Sequence, residues 1–158
     1  MIMKIFIKFK YKGEKDMKIV YWSGTGSTEK MANFIAKGIE ENGGETQVID
    51  VSSANSDMFN DEEIIILGCP AMGAEVLEES EFEPFIESIS SKVSGKKAVL
   101  FGSYDWGDGE WMRDWTKRME DYGCDVIFDG LIIREASEDD CTECIELGRK
   151  IANILVSI

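Results

Sequence analysis

Lys18-Ile19-Val20-Tyr21-Trp22-Ser23-Gly24-Thr25-Gly26-Ser27-Thr28 is the stretch that decides the fold class. Lys18 to Trp22 is a β-rich run that ends in a loop of hydroxyls and glycines. Met31, Phe34, Ile35 and Ile39 then recur at helical spacing until Asn42-Gly43-Gly44 stops them. A strand, a tight loop and a helix make the first half of a βαβ unit, and the chain repeats the alternation. Thr46 to Val51 reads as a second strand. Glu63 to Leu67 reads as a third, nearly continuous in apolar residues, as a strand covered on both faces should be. Phe82, Phe85, Ile86 and Ile89 mark a helix ending near Ser94-Gly95, and Ala98 to Phe101 is a fourth strand running into Gly102-Ser103. Trp111, Met112, Trp115 and Met119 stripe the next helix. Cys124 to Phe128 and Leu131 to Ile133 read as a fifth strand interrupted at Asp129-Gly130 by a bulge or kink. Cys141 to Ile158 closes the chain with an amphipathic helix.

Five strands alternating with helices predict right-handed crossovers and a three-layer α/β/α sandwich around a five-stranded parallel sheet. Ligands of such folds bind outside the carboxyl ends of the strands, where the strand order reverses. The loops to read closely are therefore residues 23–28, 69–80 and 102–110.

Composition narrows the chemistry. With 158 residues, 44% of them hydrophobic, the chain suits one domain with one real core. Histidine is absent, which excludes Ser-His-Asp and Cys-His catalysis and His-ligated zinc. Seventeen bases against 31 acids give a net charge of -14. Nucleic acids and anionic membranes are poor partners for such a surface, whereas a basic docking face on another protein is a good one. No apolar run approaches a membrane span and no signal-peptide block opens the chain, so a cytoplasmic location is expected.

Residues 1–16 look foreign to this plan. They hold five lysines against Glu14 and Asp16, for a net of +3, leaving -17 on residues 17–158. The expectation is an extension outside the domain at 17–158, with Met17 as the native start, since codons for Lys12-Gly13-Glu14 can spell a purine-rich ribosome-binding sequence. If translated, Ile5, Ile7 and Phe9 alternate well enough for an edge strand. Of the four cysteines, Cys69 and Cys124 stand alone. Cys141 and Cys144 form a Cys-x-x-Cys on one helix face and read as structural thiols, one buried and one half-exposed, in preference to a redox dithiol.

In Ser23-Gly24-Thr25-Gly26-Ser27-Thr28 the glycines let backbone N–H groups converge, the hydroxyls donate, and the helix start adds a favourable dipole. That is a phosphate cradle without a Walker lysine and without the Gly-x-Gly-x-x-Gly of dinucleotide folds. Neutral donors alone suit a permanently bound monophosphate. Pro70-Ala71-Met72-Gly73-Ala74-Glu75 and Ser103-Tyr104-Asp105-Trp106-Gly107-Asp108-Gly109 follow strands three and four. Met72 and Trp106 are placed to clamp the two faces of a flat aromatic ring. A cradle plus a clamp specifies a nucleotide-like ligand with a large ring, and FMN fits.

Met17 to Gly26, Gly68-Cys69-Pro70-Ala71-Met72-Gly73, Leu77 to Phe82, Phe101 to Tyr104 and Trp106 to Gly109 resemble a clostridial-type short-chain flavodoxin, over Met17 to about Ile154. The resemblance implies the strand order 2-1-3-4-5, tightly but non-covalently bound FMN, and low-potential electron shuttling, cycling mainly between neutral semiquinone and anionic hydroquinone. Carried over by position, Ser23, Gly24, Thr25, Gly26, Ser27 and Thr28 hold the phosphate, and Met72, beside Ala71, flanks the inner flavin face. Trp106 flanks the outer face. The Gly73–Ala74 peptide turns its carbonyl toward N5–H, and Glu75 meets N3. Ser103, Tyr104, Asp105 and Gly107 complete the site through backbone contacts and packing. A bond made only when N5 is protonated selects the semiquinone, and each 1.4 kcal/mol of selectivity shifts a one-electron step by about 60 mV. Three residues depart from the pattern: Ser27 stands for a usual Asn, Ala74 for a polar residue, and Asp105 for a Gly, with strain if its φ is positive.

The resemblance implies a monomeric carrier, not an enzyme, serving reductases and low-potential acceptors with basic docking faces. Glu78, Glu79, Asp105 and Asp108 form the expected acidic rim. The alternative is an FMN-dependent NAD(P)H or quinone reductase, but no added segment is seen to build a nicotinamide pocket. A phosphorylatable response regulator lacks its acidic cluster, and a Cys-x5-Arg phosphatase fails because Glu75 follows Cys69 at that spacing.

Overall fold

The computed structural model describes residues 16–134 and 141–157; the expectations for residues 1–15, including the alternation of Ile5, Ile7 and Phe9, lie outside them. Strands β1 (Met17–Tyr21), β2 (Thr46–Asp50), β3 (Ile64–Gly68) and β4 (Lys97–Tyr104) form a parallel sheet in the order β2-β1-β3-β4. The fifth position is shared by two short strands, β5 (Asp125–Val126) and β6 (Leu131–Arg134), both parallel to β4. The helices are α1 (Ser27–Glu41), α2 (Phe82–Ile89), α3 (Glu110–Asp121) and α4 (Thr142–Ser157). The strand order is the expected 2-1-3-4-5.

The interruption falls where the sequence placed it. Lys97 and Ala98 pair with Asp125 and Val126, and the ladder resumes at Phe101 with Leu131. Between them Phe128 takes a positive φ of 65°. At Gly130 a Cβ would lie 2.4 Å from Met112 Cγ, so glycine is what lets α3 approach the gap.

Strand alternation divides the core into two. Val20, Ile65, Leu67 and Leu100 face α2 and α3, where Phe82, Ile86, Trp111 and Trp115 are buried. Ile19, Ile64, Ile66 and Val99 face α1 and α4, against Met31, Ile35, Ile39, Leu147 and Ile151. Each fully buried side chain of this kind contributes about 1.5–3 kcal/mol. On the second face α1 and α4 approach backbone to backbone: a Cβ at Gly38 would lie 2.0 Å from the Ile145 carbonyl oxygen, and one at Gly148 2.1 Å from that of Ile35.

Four expectations are corrected. Glu78 is buried and belongs to no exposed rim: its Oε1 accepts the N–H groups of Glu81 (2.8 Å) and Phe82 (2.9 Å), and its Oε2 that of Ser80 (2.8 Å). It neutralises the orphan donors at the start of α2. Cys141 and Cys144 are not separate thiols but a disulfide, with both residues buried. Cys141 lies just before α4 and not inside it. The helix α2 also ends at Ile89, short of Ser94-Gly95, and a turn closed by Lys92 N–H on the Ile89 carbonyl (2.8 Å) continues from it.

Candidate functional site

Three loops leave the sheet side by side. Tyr21 pairs with Gly68, and Gly68 with Phe101. Trp22 donates to the Gly68 carbonyl (3.0 Å), and Ala71 to that of Ser103 (3.0 Å). All sixteen candidate residues, Ser23–Thr28, Ala71–Glu75 and Ser103–Gly107, therefore gather at the carboxyl edge of β1, β3 and β4.

The first loop turns on Gly26, whose φ of 101° admits glycine readily. Gly26 N–H donates to Ser23 Oγ (3.1 Å), and Gly26, at the cap position, offers the first amides of α1 no side-chain cap. Those amides, which have no partner inside the helix, are the natural donors to an anion. Space in front of Gly26 is open, since a Cβ there meets nothing within 4 Å. The loop rests on the ring of Trp22, 2.9 Å from a Cβ at Gly24. Thr28 is buried, its hydroxyl 2.7 Å from that of Ser103. Beside the loop, Tyr21 donates its hydroxyl to Glu29 (2.7 Å); burial, then the Glu29 bond and charge, push the phenol well above its ordinary range.

The second loop is a tight hairpin. Met72 and Val76 exchange backbone hydrogen bonds (2.8 and 3.0 Å) around Gly73, Ala74 and Glu75. Gly73 has φ 46° with open space about its Cβ position, and Glu75 has φ 57°. A non-glycine residue held left-handed in a site loop is a small strain imposed by its surroundings. Here the surroundings are visible: Glu75 Oε1 accepts the Asp108 N–H (3.1 Å). Gly107 is pressed against the same carboxylate, where a Cβ would fall 1.4 Å from Oε1. Met72 and Ala71 are half-buried.

The third loop carries Trp106, 59% exposed. Tyr104 tilts onto Trp111 at 5.8 Å between ring centroids. Asp105 does not have the positive φ that would strain it. Instead its carbonyl accepts Arg134 Nε (3.1 Å). Arg113 forks onto Asp108, Nη1 to the carbonyl and Nη2 to Oδ1, both at 3.0 Å. Arg134, at the end of β6, is set beside Tyr104 of β4 by the register of the two strands. Glu79, Asp105 and Asp108 are exposed as expected.

FMN is tested by what these residues lack. Glu75 Oε2 is buried and, among the described residues, accepts no hydrogen bond. An orphaned carboxylate oxygen is costly unless a donor arrives, and the flavin N3–H is such a donor. The cradle offers hydroxyls and amides but no lysine or arginine within residues 23–28, which suits a resident monophosphate. The residues fit the group.

Comparison with known proteins agrees. The flavodoxin family profile matches residues 19–148. The chain is 62% identical to a flavodoxin of Clostridium beijerinckii over 138 residues, covering 87% of this chain and all of that one. It is 46% identical to the flavodoxin of Megasphaera elsdenii over 136 residues, 86% of this chain and 98% of that one. The solution structure of the two-electron reduced M. elsdenii protein superposes with a TM-score of 0.80, covering 87% of this chain and 98% of that one. A flavodoxin from the domain Archaea, 25% identical, gives 0.77, covering 90% and 99%. With the sheet order, the three loops and these likenesses in agreement, the chain belongs to the flavodoxin family.

Proposed function

We propose that this protein is a cytoplasmic, monomeric low-potential carrier that moves single electrons between redox proteins on non-covalently bound FMN, working mainly between the half-reduced and fully reduced cofactor. Bound FMN supplies reversible one-electron chemistry; the chain binds it, shields it and sets its energetics. Hydroxyls and amides of Ser23 to Thr28 hold the phosphate, and Met72 and Trp106 cover the two ring faces. Glu75 Oε2 accepts N3–H. Gly73, without a Cβ and already at positive φ, lets the Gly73–Ala74 peptide turn its carbonyl to hold a proton at N5. Exposed Glu79, Asp105 and Asp108 oppose a growing negative charge on the ring and offer an acidic rim to basic partners.

The orphaned Glu75 oxygen and the exposed indole of Trp106, on loops that leave one sheet edge, carry this reading. Its test is an anaerobic redox titration of the FMN-supplied protein with NAD(P)H oxidation measured in parallel. Two separated one-electron steps, with no steady NAD(P)H turnover, are expected. A polypeptide that leaves FMN fluorescence unquenched, or one that turns over NAD(P)H by itself, overturns the proposal.

A further inference from the structure

We propose that Cys141 and Cys144 form a second redox site, a dithiol–disulfide couple that exchanges with low-molecular-weight thiols and disulfides. The inference stands on the cysteine pair and is independent of the function proposed for the loops. The sulfurs are bonded and the Cα atoms lie 5.3 Å apart, inside the span of roughly 4.4–6.8 Å that disulfides occupy. Opening or closing the bond therefore asks for no backbone rearrangement. The turn is also held without it, because the Cys141 carbonyl accepts the N–H groups of Cys144 (3.0 Å) and Ile145 (3.1 Å). A crosslink that its own backbone already supports adds little to folding, since it closes a loop of only a few residues. What it adds is chemistry.

The two sulfurs are unequally placed. Cys141 is 6% exposed and is followed by exposed Thr142 and Glu143, whereas Cys144 is fully buried against the core face of α4. Both are buried, Cys141 less completely and nearer the exposed helix start, so the proposed order takes Cys141 as the sulfur attacked and Cys144 as the one that leaves and returns. A small thiolate attacks Cys141 Sγ, forming a mixed disulfide and releasing Cys144 as a thiolate in the first turn of α4, where backbone N–H groups favour negative charge. A second thiolate attacks the small-molecule sulfur of that mixed disulfide and departs with it as a free disulfide, leaving Cys141 as a thiolate. Two thiols give up two electrons in all, and their two protons end on Cys141 and Cys144. The reverse sequence, driven by a small-molecule disulfide, restores the bond. Cys69 and Cys124 serve as internal controls: both are buried and free, and burial pushes their thiols up, Cys124 to about 11 and Cys69 further.

The experiment equilibrates the full, FMN-loaded chain anaerobically in buffers of reduced and oxidised glutathione over a wide range of ratios. Acid quenching, alkylation and peptide mass spectrometry follow. The peptide holding both cysteines should pass reversibly between two alkylated thiols and none, as one two-electron step, while Cys69 and Cys124 stay unchanged and flavin absorbance reports an intact fold. Cys144→Ser should trap glutathione on Cys141 at least tenfold faster than Cys141→Ser traps it on Cys144. A pair that stays wholly bonded or wholly reduced at every ratio overturns the proposal in the unaltered protein. Equal trapping by the two variants overturns the assigned order of attack.

Discussion

The hydroxyls of Thr28 and Ser103 lie 2.7 Å apart in a buried contact that ties the first turn of α1 to the end of β4. Seventy-five residues separate them in sequence, so the bond fixes the cradle loop against the loop that carries Trp106. Thr28→Val keeps the shape and strands the Ser103 hydroxyl, a loss of about 1–3 kcal/mol. FMN affinity, followed by fluorescence quenching, should fall with it. Adding Ser103→Ala should recover part of the loss, because no orphan remains. Fully additive single effects would show that the two hydroxyls do not act as a pair.

Glu75 is poised by one filled and one empty acceptor. Glu75→Gln retains an oxygen for the Asp108 N–H and turns an amide donor toward the place where Oε2 waits. A donor facing a donor, with the carboxylate charge gone, should weaken FMN binding by about 1.5–3 kcal/mol. The apoprotein should be no less stable than the parent, since a neutral amide left unpartnered in a buried place costs less than a carboxylate there. Titration of apoprotein with FMN and a urea melt of the same preparation measure the two effects separately. An apoprotein destabilised as much as binding is weakened would sink the orphan argument.

How much of this was legible in the sequence follows the range of the forces involved. Local signals sufficed for the strand–loop–helix at Lys18–Ile39, for the break at Asp129-Gly130 and for the buried stripe of Trp111 and Trp115, both nearly inaccessible. Periodicity and glycine placement act over a few residues. Glu78 was misread because a carboxylate beside Glu79 looks like surface charge; only the chain's turn into α2 brings three amides onto it. Arg134 meets a carbonyl 29 residues away, beyond the reach of any local pattern. The Cys141–Cys144 bond turns on chemistry that spacing permits but does not decide.

Gly38 and Gly148 set the spacing of α1 and α4. In Gly148→Ala the new methyl meets the Ile35 carbonyl at 2.1 Å, and backbone cannot swing aside as a side chain can. Overpacking of this kind costs about 1–3 kcal/mol, against a gain of about 1 kcal/mol in helix propensity. Thermal unfolding should begin several degrees lower, while FMN affinity, built on the opposite ends of β1, β3 and β4, stays within twofold of the parent. An unchanged or raised Tm contradicts the close crossing.

Arg134 holds the outer-face loop by a backbone carbonyl, and its charge sits one residue from Trp106. Two variants separate the roles. Arg134→Lys keeps the charge and loses the Nε donor; Arg134→Met loses both. Amide exchange at Trp106 and Gly107 in the apoprotein should quicken in both. The potential of the final reduction step should fall further in Arg134→Met, by ~60 mV for each 1.4 kcal/mol of lost attraction. Equal potentials in the two variants would remove the electrostatic half of this account.

Acid should loosen the α2 side of the fold first. Burial pushes the Glu78 carboxyl up, but the N–H groups of Phe82, Glu81 and Ser80 outweigh it and hold the group below the usual carboxylate range. Glu83 is held down chiefly by its hydrogen bond to Arg118, part-buried and bidentate, with Nη1 to Oε1 at 2.7 Å. Both values are lower folded than unfolded. Their stabilisation is therefore complete above the ordinary glutamate value of about 4.3 and is lost as pH falls through the depressed folded values. Urea midpoints of the parent should be level from pH 7 to about 5 and fall below that. Glu78→Ala, which uncaps α2 at a cost of about 1–2 kcal/mol, should have a lower midpoint at pH 7 and a shallower acid limb, so that the gap narrows as Glu78 protonates in the parent. Parallel curves down to pH 3 would mean that Glu78 caps the helix without its charge.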